Sequence, residues 1–160
     1  MRISFVCLGN ICRSPTAEAV MRDLVAREGL ADRILVESAG TGAWHLGDPP
    51  DGRAQQEAGR RGLAMTSRAR QFTARDFDRL DLVLAMDSRN AADLRAIAPT
   101  PDAAAKVRML REFAPGASGD LDVPDPYFGG ADGFRDVFDM VQEACRGLLD
   151  HLRPRLAARR

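Results

Sequence analysis

The feature that most constrains this chain is a cysteine and an arginine with five residues between them, wedged between a short apolar run and a helix-start signal. Ile3, Phe5 and Val6 read as a buried strand, Cys7-Leu8-Gly9-Asn10-Ile11-Cys12-Arg13 follows at once, and Ser14-Pro15 comes next. Ser14 has the hydroxyl of an N-cap, and Pro15 suits a first helical position. The segment is therefore expected to run strand, tight loop, helix. Such a loop curls its backbone N–H groups around an oxyanion. Arg13 adds a planar, permanently charged fork that matches phosphate oxygens. Cys7 would lie at the floor of this cradle, where positive potential favours the nucleophilic thiolate. The arrangement suits covalent phosphoryl transfer: the thiolate attacks phosphorus while the amides and Arg13 hold the equatorial oxygens. Gly9 fits a loop needing unusual backbone angles or close approach. Cys-x5-Arg alone would more readily describe a buried strand-end cysteine and a surface arginine. The flanking strand, the Ser-Pro start and the embedded glycine shift the reading towards function.

The 160 residues suffice for one domain, residues 1–160, with a substantial core. Formal net charge is zero, which gives no reason to expect a nucleic-acid or acidic-membrane partner. The N-terminal apolar stretch is interrupted by Gly9, Asn10 and Arg13, unlike a signal peptide. No run is long enough to span a bilayer. Three cysteines without a Cys-x-x-Cys or Cys/His cluster suggest neither a disulfide framework nor a metal site. The expected compartment is the reducing cytoplasm, with export by a route lacking a cleaved signal left open. A monomer without cofactors is the default expectation. The Arg-rich end, Arg153 to Arg160, reads as a solvated, fraying helix tail.

Strands are expected at 2–7, 34–36, 82–86 and 107–110. Residues 14–28 read as a helix with Ala17, Val20, Met21, Leu24 and Val25 on one face and a stop at Gly29. A second helix is expected over 51–62. A third, capped by Asp87-Ser88, carries Leu94 and Ile97. The final helix is the clearest: Phe134, Val137, Phe138, Val141, Cys145, Leu148, Leu149 and Leu152 keep helical spacing, which makes Cys145 a core residue. Gly/Pro/Asp-rich loops fill 40–50 and 115–133. Strands alternating with helices predict an α/β domain with a parallel sheet. Such sheets bind ligands at the carboxyl ends of their strands, the edge on which the cysteine loop falls.

The octet from Cys7 to Ser14, continued through Pro15-Thr16-Ala17-Glu18-Ala19, closely resembles the signature of the low-molecular-weight protein tyrosine phosphatases. Pro124-Asp125-Pro126-Tyr127-Phe128 resembles the family's second signature, the Asp-Pro-Tyr loop. Between them, Glu37-Ser38-Ala39-Gly40-Thr41, Ala69-Arg70-Gln71 and Met86-Asp87 are also similar, in the same order. The likeness covers essentially the whole chain. It implies a single-domain α/β fold with a four-stranded parallel sheet, helices on both faces and a phosphate-binding loop, Leu8 to Arg13, after the first strand. It implies a hydrolase acting on phosphotyrosine in protein substrates, with inorganic phosphate as product and related oxyanions as inhibitors.

Phosphate ester cleavage needs a proton for the departing oxygen, and 23 acidic residues leave spacing unable to choose the donor. Pro124 and Pro126 stiffen the backbone around Asp125, although Pro-Asp-Pro taken alone reads more simply as a turn. The resemblance implies that Asp125 is the general acid and later the base. It implies Cys7 as nucleophile, Arg13 as phosphate clamp, Ser14 as hydrogen-bond donor to the thiolate, and Asn10 as loop brace with Ser38 as partner. The family often braces this asparagine with a histidine, and here the matching residue is Ser67. Trp44 and Tyr127, the chain's only Trp and Tyr, would flank the pocket mouth and sandwich an aromatic ring, a contact worth about 0.5–1.5 kcal/mol. Leu8, Ile11 and Phe128 would add apolar wall, and His45 would stand on the rim. Cys12 reads equally as loop filler or as a redox residue; the resemblance implies a reversible disulfide with Cys7. His151 reads as a surface residue.

Three rivals share these residues. A protein-arginine phosphatase has the same signature, but such relatives tend to carry threonine where this chain has Ile11, an apolar wall better suited to a phenyl ring. A thioredoxin-coupled arsenate reductase needs relay cysteines after the third strand, and none occurs there before Cys145. A phosphate-binding module without turnover has no use for Cys7, Ser14 and Asp125 together.

Overall fold

The computed structural model describes residues 1–159. Four parallel strands, β1 (Arg2–Cys7), β2 (Leu35–Gly40), β3 (Leu82–Ala85) and β4 (Val107–Met109), form one sheet in the order β2-β1-β3-β4. The helices are α1 (Arg13–Arg27), α2 (Gly52–Arg60), α3 (Asp76–Arg79), α4 (Ser88–Ile97), α5 (Pro101–Ala104) and α6 (Ala131–Ala158), with a 3-10 turn at Leu110–Phe113. The single α/β domain expected from the sequence is the one observed.

Side-chain alternation along β1 divides the core into two layers. Ile3, Phe5 and Cys7 face α1 and α6, packing with Met21, Phe138, Cys145 and Leu148. Val6 faces the opposite way, into the layer formed with Phe77, Val83, Leu94 and Val107 beneath α3 to α5. Helices therefore cover both faces, and the central strands are buried on both sides, as parallel sheets require. The apolar stripe of α6 is fully buried from Phe134 to Leu152. At Gly147 a Cβ would meet the Phe113 carbonyl oxygen at 1.7 Å. Only glycine lets α6 lie this close to the 3-10 turn.

Three local expectations need correction. Residue 12, not Ser14, occupies the N-cap of α1, and its neighbour Arg13 is the first helical residue. Ser14 and Pro15 sit inside the first turn, where a missing proline N–H costs nothing, and the serine hydroxyl turns towards Cys7 instead of capping. The tail from Arg153 does not fray. α6 continues to Ala158, Leu156 is buried, Arg153 pairs with Glu28 at 3.0 Å and Arg159 with Asp81 at 2.9 Å; Arg160 lies outside the described residues. Four-residue helices α3 and α5, too short for a periodic signal, were not expected.

Candidate active site

The loop leaving β1 is held in shape by one asparagine. Asn10 is the only non-glycine residue among those described with positive φ, 57°, the left-handed region that asparagine tolerates better than most residues. Its side chain, 2% exposed, uses its amide fully: Nδ2 donates to Ser14 Oγ at 2.8 Å and to Ser38 Oγ at 3.0 Å, and Oδ1 accepts the Arg70 N–H at 3.0 Å. The Arg70 backbone therefore supplies a brace for Asn10. Gly9 is not the left-handed residue; its lack of a side chain makes room for His45, whose ring a Cβ would approach at 3.1 Å. Beneath the loop, a Cβ on Gly40 would lie 2.8 Å from the Leu8 carbonyl oxygen and 3.2 Å from Asn10 N. Gly40 is the close-approach position that lets β2 pass under the loop.

Cys7, at the end of β1, is buried, with Sγ 3.0 Å from Ser14 Oγ. Because Asn10 already donates to Ser14, the serine proton is directed to either the Cys7 sulfur or the Ala39 carbonyl oxygen, which is 3.3 Å away. The thiolate form accepts it.

Arg13 is 2% exposed and is fixed from below. Its Nη1 donates to Asp87 Oδ2 at 2.6 Å and to the Val123 carbonyl at 3.0 Å. Burial opposes its charge, but Cys7, Asp87 and Asp125 more than offset that cost and hold the guanidinium charged. Asp87 also caps α4 by accepting the Asn90 N–H through Oδ1. The sequence signals Asp87 only as a helix cap; its second oxygen, aimed at Arg13, has no local signature.

Asp125 reaches the same place from the loop before α6. Its Oδ2 lies 3.7 Å from Arg13 Nη2, and Oδ1 accepts the Tyr127 N–H at 3.0 Å. Cys7 and Arg13, from one loop, and Asp125, distant in sequence, line one open cavity of about 200 Å³ at the carboxyl end of β1. Leu8, Gly9, Ile11 and Cys12 line it from the loop after β1, and Trp44, His45, Tyr127 and Phe128 from the rim. Trp44 is 72% exposed and Phe128 95%, so Phe128 is an outer edge rather than a packed wall. It meets Tyr127 edge-on at 4.9 Å, and His45 stands 6.2 Å from the Tyr127 ring. Burial, with Asp51, Cys7 and Asp125 nearby, pushes the Cys12 thiol up to about 12, so it stays protonated at neutral pH. Cys145 is fully buried in α6, away from the loop, and His151 is a surface residue against Phe113.

Residues 2–158 match the family described as low molecular weight phosphotyrosine protein phosphatase. A low molecular weight protein-tyrosine-phosphatase of Streptomyces coelicolor is 49% identical, covering 99% of this chain and 97% of that protein. The chain belongs to this family. Among solved structures, a protein tyrosine phosphatase from Entamoeba histolytica superposes with a TM-score of 0.90 at 37% identity, covering 95% of this chain and 96% of that one. A Drosophila arginine phosphatase superposes with a TM-score of 0.89 at 35% identity, covering 96% and 98%. The structural neighbours thus include proteins named as a tyrosine phosphatase and as an arginine phosphatase. No helix among the described residues is long and apolar enough to cross a membrane.

Proposed function

We propose that this member of the family hydrolyses phosphotyrosine in protein substrates through a cysteinyl-phosphate on Cys7. The observation that carries the reading is the convergence of a buried cysteine sulfur, a buried arginine and an aspartate on one cavity walled by aromatic and aliphatic side chains. Arg13 and the N–H groups of residues 8–13 bind the dianion. The Cys7 thiolate attacks phosphorus, the bond from phosphorus to the phenolic oxygen breaks, and Asp125 gives its proton to that oxygen. Tyr127 N–H occupies Asp125 Oδ1, so Oδ2 is the oxygen left to carry the proton. Asp125, now a carboxylate, takes a proton from water as it attacks the cysteinyl-phosphate. The sulfur–phosphorus bond breaks, inorganic phosphate leaves, and the Ser14 hydroxyl donates to the returning thiolate.

The choice of tyrosine rests on the walls. Leu8, Ile11, Trp44 and Tyr127 offer apolar and π surface to a phenyl ring, and Ile11, 8% exposed, places no hydroxyl beside the scissile bond. A phosphoguanidinium would leave its N–H groups facing these side chains unpaired. Under peroxide, the Cys7 thiolate is oxidised to a sulfenic acid; the Cys12 thiol then displaces water to form a disulfide that thiols reduce again. The test is phosphate release from phosphotyrosine, phosphoserine and phosphoarginine peptides, with Cys7→Ser as control. Phosphotyrosine preference, lost in Cys7→Ser, is expected; phosphoarginine preference overturns the substrate assignment.

A further inference from the structure

The first turn of α2 touches both loops of the site. The Asp51 N–H donates to the Ile11 carbonyl of the phosphate loop at 2.8 Å. The Asp51 carboxylate holds Arg53, accepting from its Nε at 3.1 Å through Oδ1 and from its Nη2 at 2.9 Å through Oδ2. The same guanidinium reaches the acid loop, where Nη2 donates to the Tyr127 carbonyl at 2.9 Å and Nη1 to the Gly129 carbonyl at 3.3 Å. It also lies over the Phe134 ring at 4.6 Å and 5.6 Å from the Tyr127 ring. Among the described residues, no other side chain donates to the backbone between Pro124 and Gly129. That stretch has no helix or strand of its own, so beyond the Arg13–Asp125 ion pair at 3.7 Å and the anchored Val123 before it, its position is set by Arg53 and by the two prolines.

Building on the reaction above, we propose that Arg53 is a positioning residue for Asp125. By spanning Asp51, Tyr127 and Gly129 it sets the distance of the acid from the leaving-group oxygen, without touching the nucleophile or the phosphate clamp. The role needs a planar fork: a lysine ammonium cannot pair with a carboxylate and two carbonyls while stacking on Phe134. Its loss therefore weakens proton donation selectively, a step worth most for substrates whose leaving group is a strong base.

The experiment measures kcat/KM for a series of aryl phosphates of increasing leaving-group pKa with Arg53→Met and Arg53→Lys, each alone and combined with Asp125→Asn. Inhibition by inorganic phosphate and the alkylation rate of Cys7 are measured alongside. Arg53→Met is expected to lose about 10- to 100-fold on phenyl phosphate, the poor leaving group, and far less on nitrophenyl phosphates. Phosphate inhibition and Cys7 alkylation should stay near wild type, and the loss should vanish in the Asp125→Asn background. Should Arg53→Met fail to fold, Arg53→Lys, which keeps charge and bulk, is expected to show the same selective loss. Equal loss across all leaving groups, or full additivity with Asp125→Asn, overturns the proposal. So does normal phenyl phosphate turnover by a folded Arg53→Met. If Asp125→Asn itself shows no leaving-group dependence, the acid assignment fails and takes the proposal with it. If Asp125→Asn shows that dependence and Arg53→Met does not, only the role of Arg53 fails.

Discussion

Replacing Asn10 with alanine isolates what holds the phosphate loop in shape. The side chain makes three hydrogen bonds, two buried ones to serine hydroxyls and a partly buried one from the Arg70 N–H. At about 0.5–1.5 kcal/mol each, their loss costs roughly 3 kcal/mol and strands the Arg70 donor. Alanine also lacks asparagine's tolerance of φ 57°, adding about 1–2 kcal/mol. The sum is about 4–5 kcal/mol, a large share of the ~5–15 kcal/mol typical of a domain. Asn10→Gly removes the strain and not the lost bonds, so it should be about 1 kcal/mol more stable than Asn10→Ala. The assay is equilibrium urea unfolding of both variants, with phosphatase rates beside it. Both should also lose activity, because Ser14 is no longer turned towards Cys7. A loss under about 1 kcal/mol in Asn10→Ala, or an Asn10→Gly no more stable than Asn10→Ala, would refute the reasoning.

Gly40→Ala should abolish turnover and phosphate binding while leaving a folded protein, since its Cβ would press on loop backbone that cannot yield; calorimetric phosphate titration checks this. Iodoacetate should modify Cys7 first, with inorganic phosphate protecting it, because Cys12 stays a thiol and Cys145 is sealed in the core; peptide mapping that finds Cys12 labelled first would contradict this. Burial pushes Asp76, Asp81 and Glu112 up, but hydrogen bonds and ion pairs outweigh it and leave all three below their usual range. Groups depressed in the folded state add stability above their unfolded pKa and lose it as pH falls through the folded value. Thermal midpoints should therefore be flat near neutrality and fall below about pH 4.

Much of this was legible in the residues because burial writes periodicity into sequence. The buried stripe of α6 and the positions of the four strands follow from apolar runs, although β2 continues through Gly40 past its apolar start, and the residues flanking Cys7 give the order strand, loop, helix. What was not legible depends on partners distant along the chain. Ser14 reads as a cap until Asn10 donates to its hydroxyl oxygen and Cys7 comes within reach of its proton. Asp87 reads as a cap because it is one, and its grip on Arg13 spans 74 residues. Arg53 has no local signature, because the Tyr127 and Gly129 carbonyls it meets lie 74 and 76 residues away along the chain. Asn10, by contrast, carried a usable signal: a lone asparagine beside glycine in a tight loop suits a left-handed position.

The most direct test of the covalent reaction is rapid acid quench of the protein mixed with an aryl phosphate, followed by phosphopeptide mapping. A burst of phenol matching the enzyme concentration, with phosphate on the peptide bearing Cys7, is the expected result. Phenol release without a burst, and no phosphate on that peptide at any quench time, would contradict the cysteinyl-phosphate route.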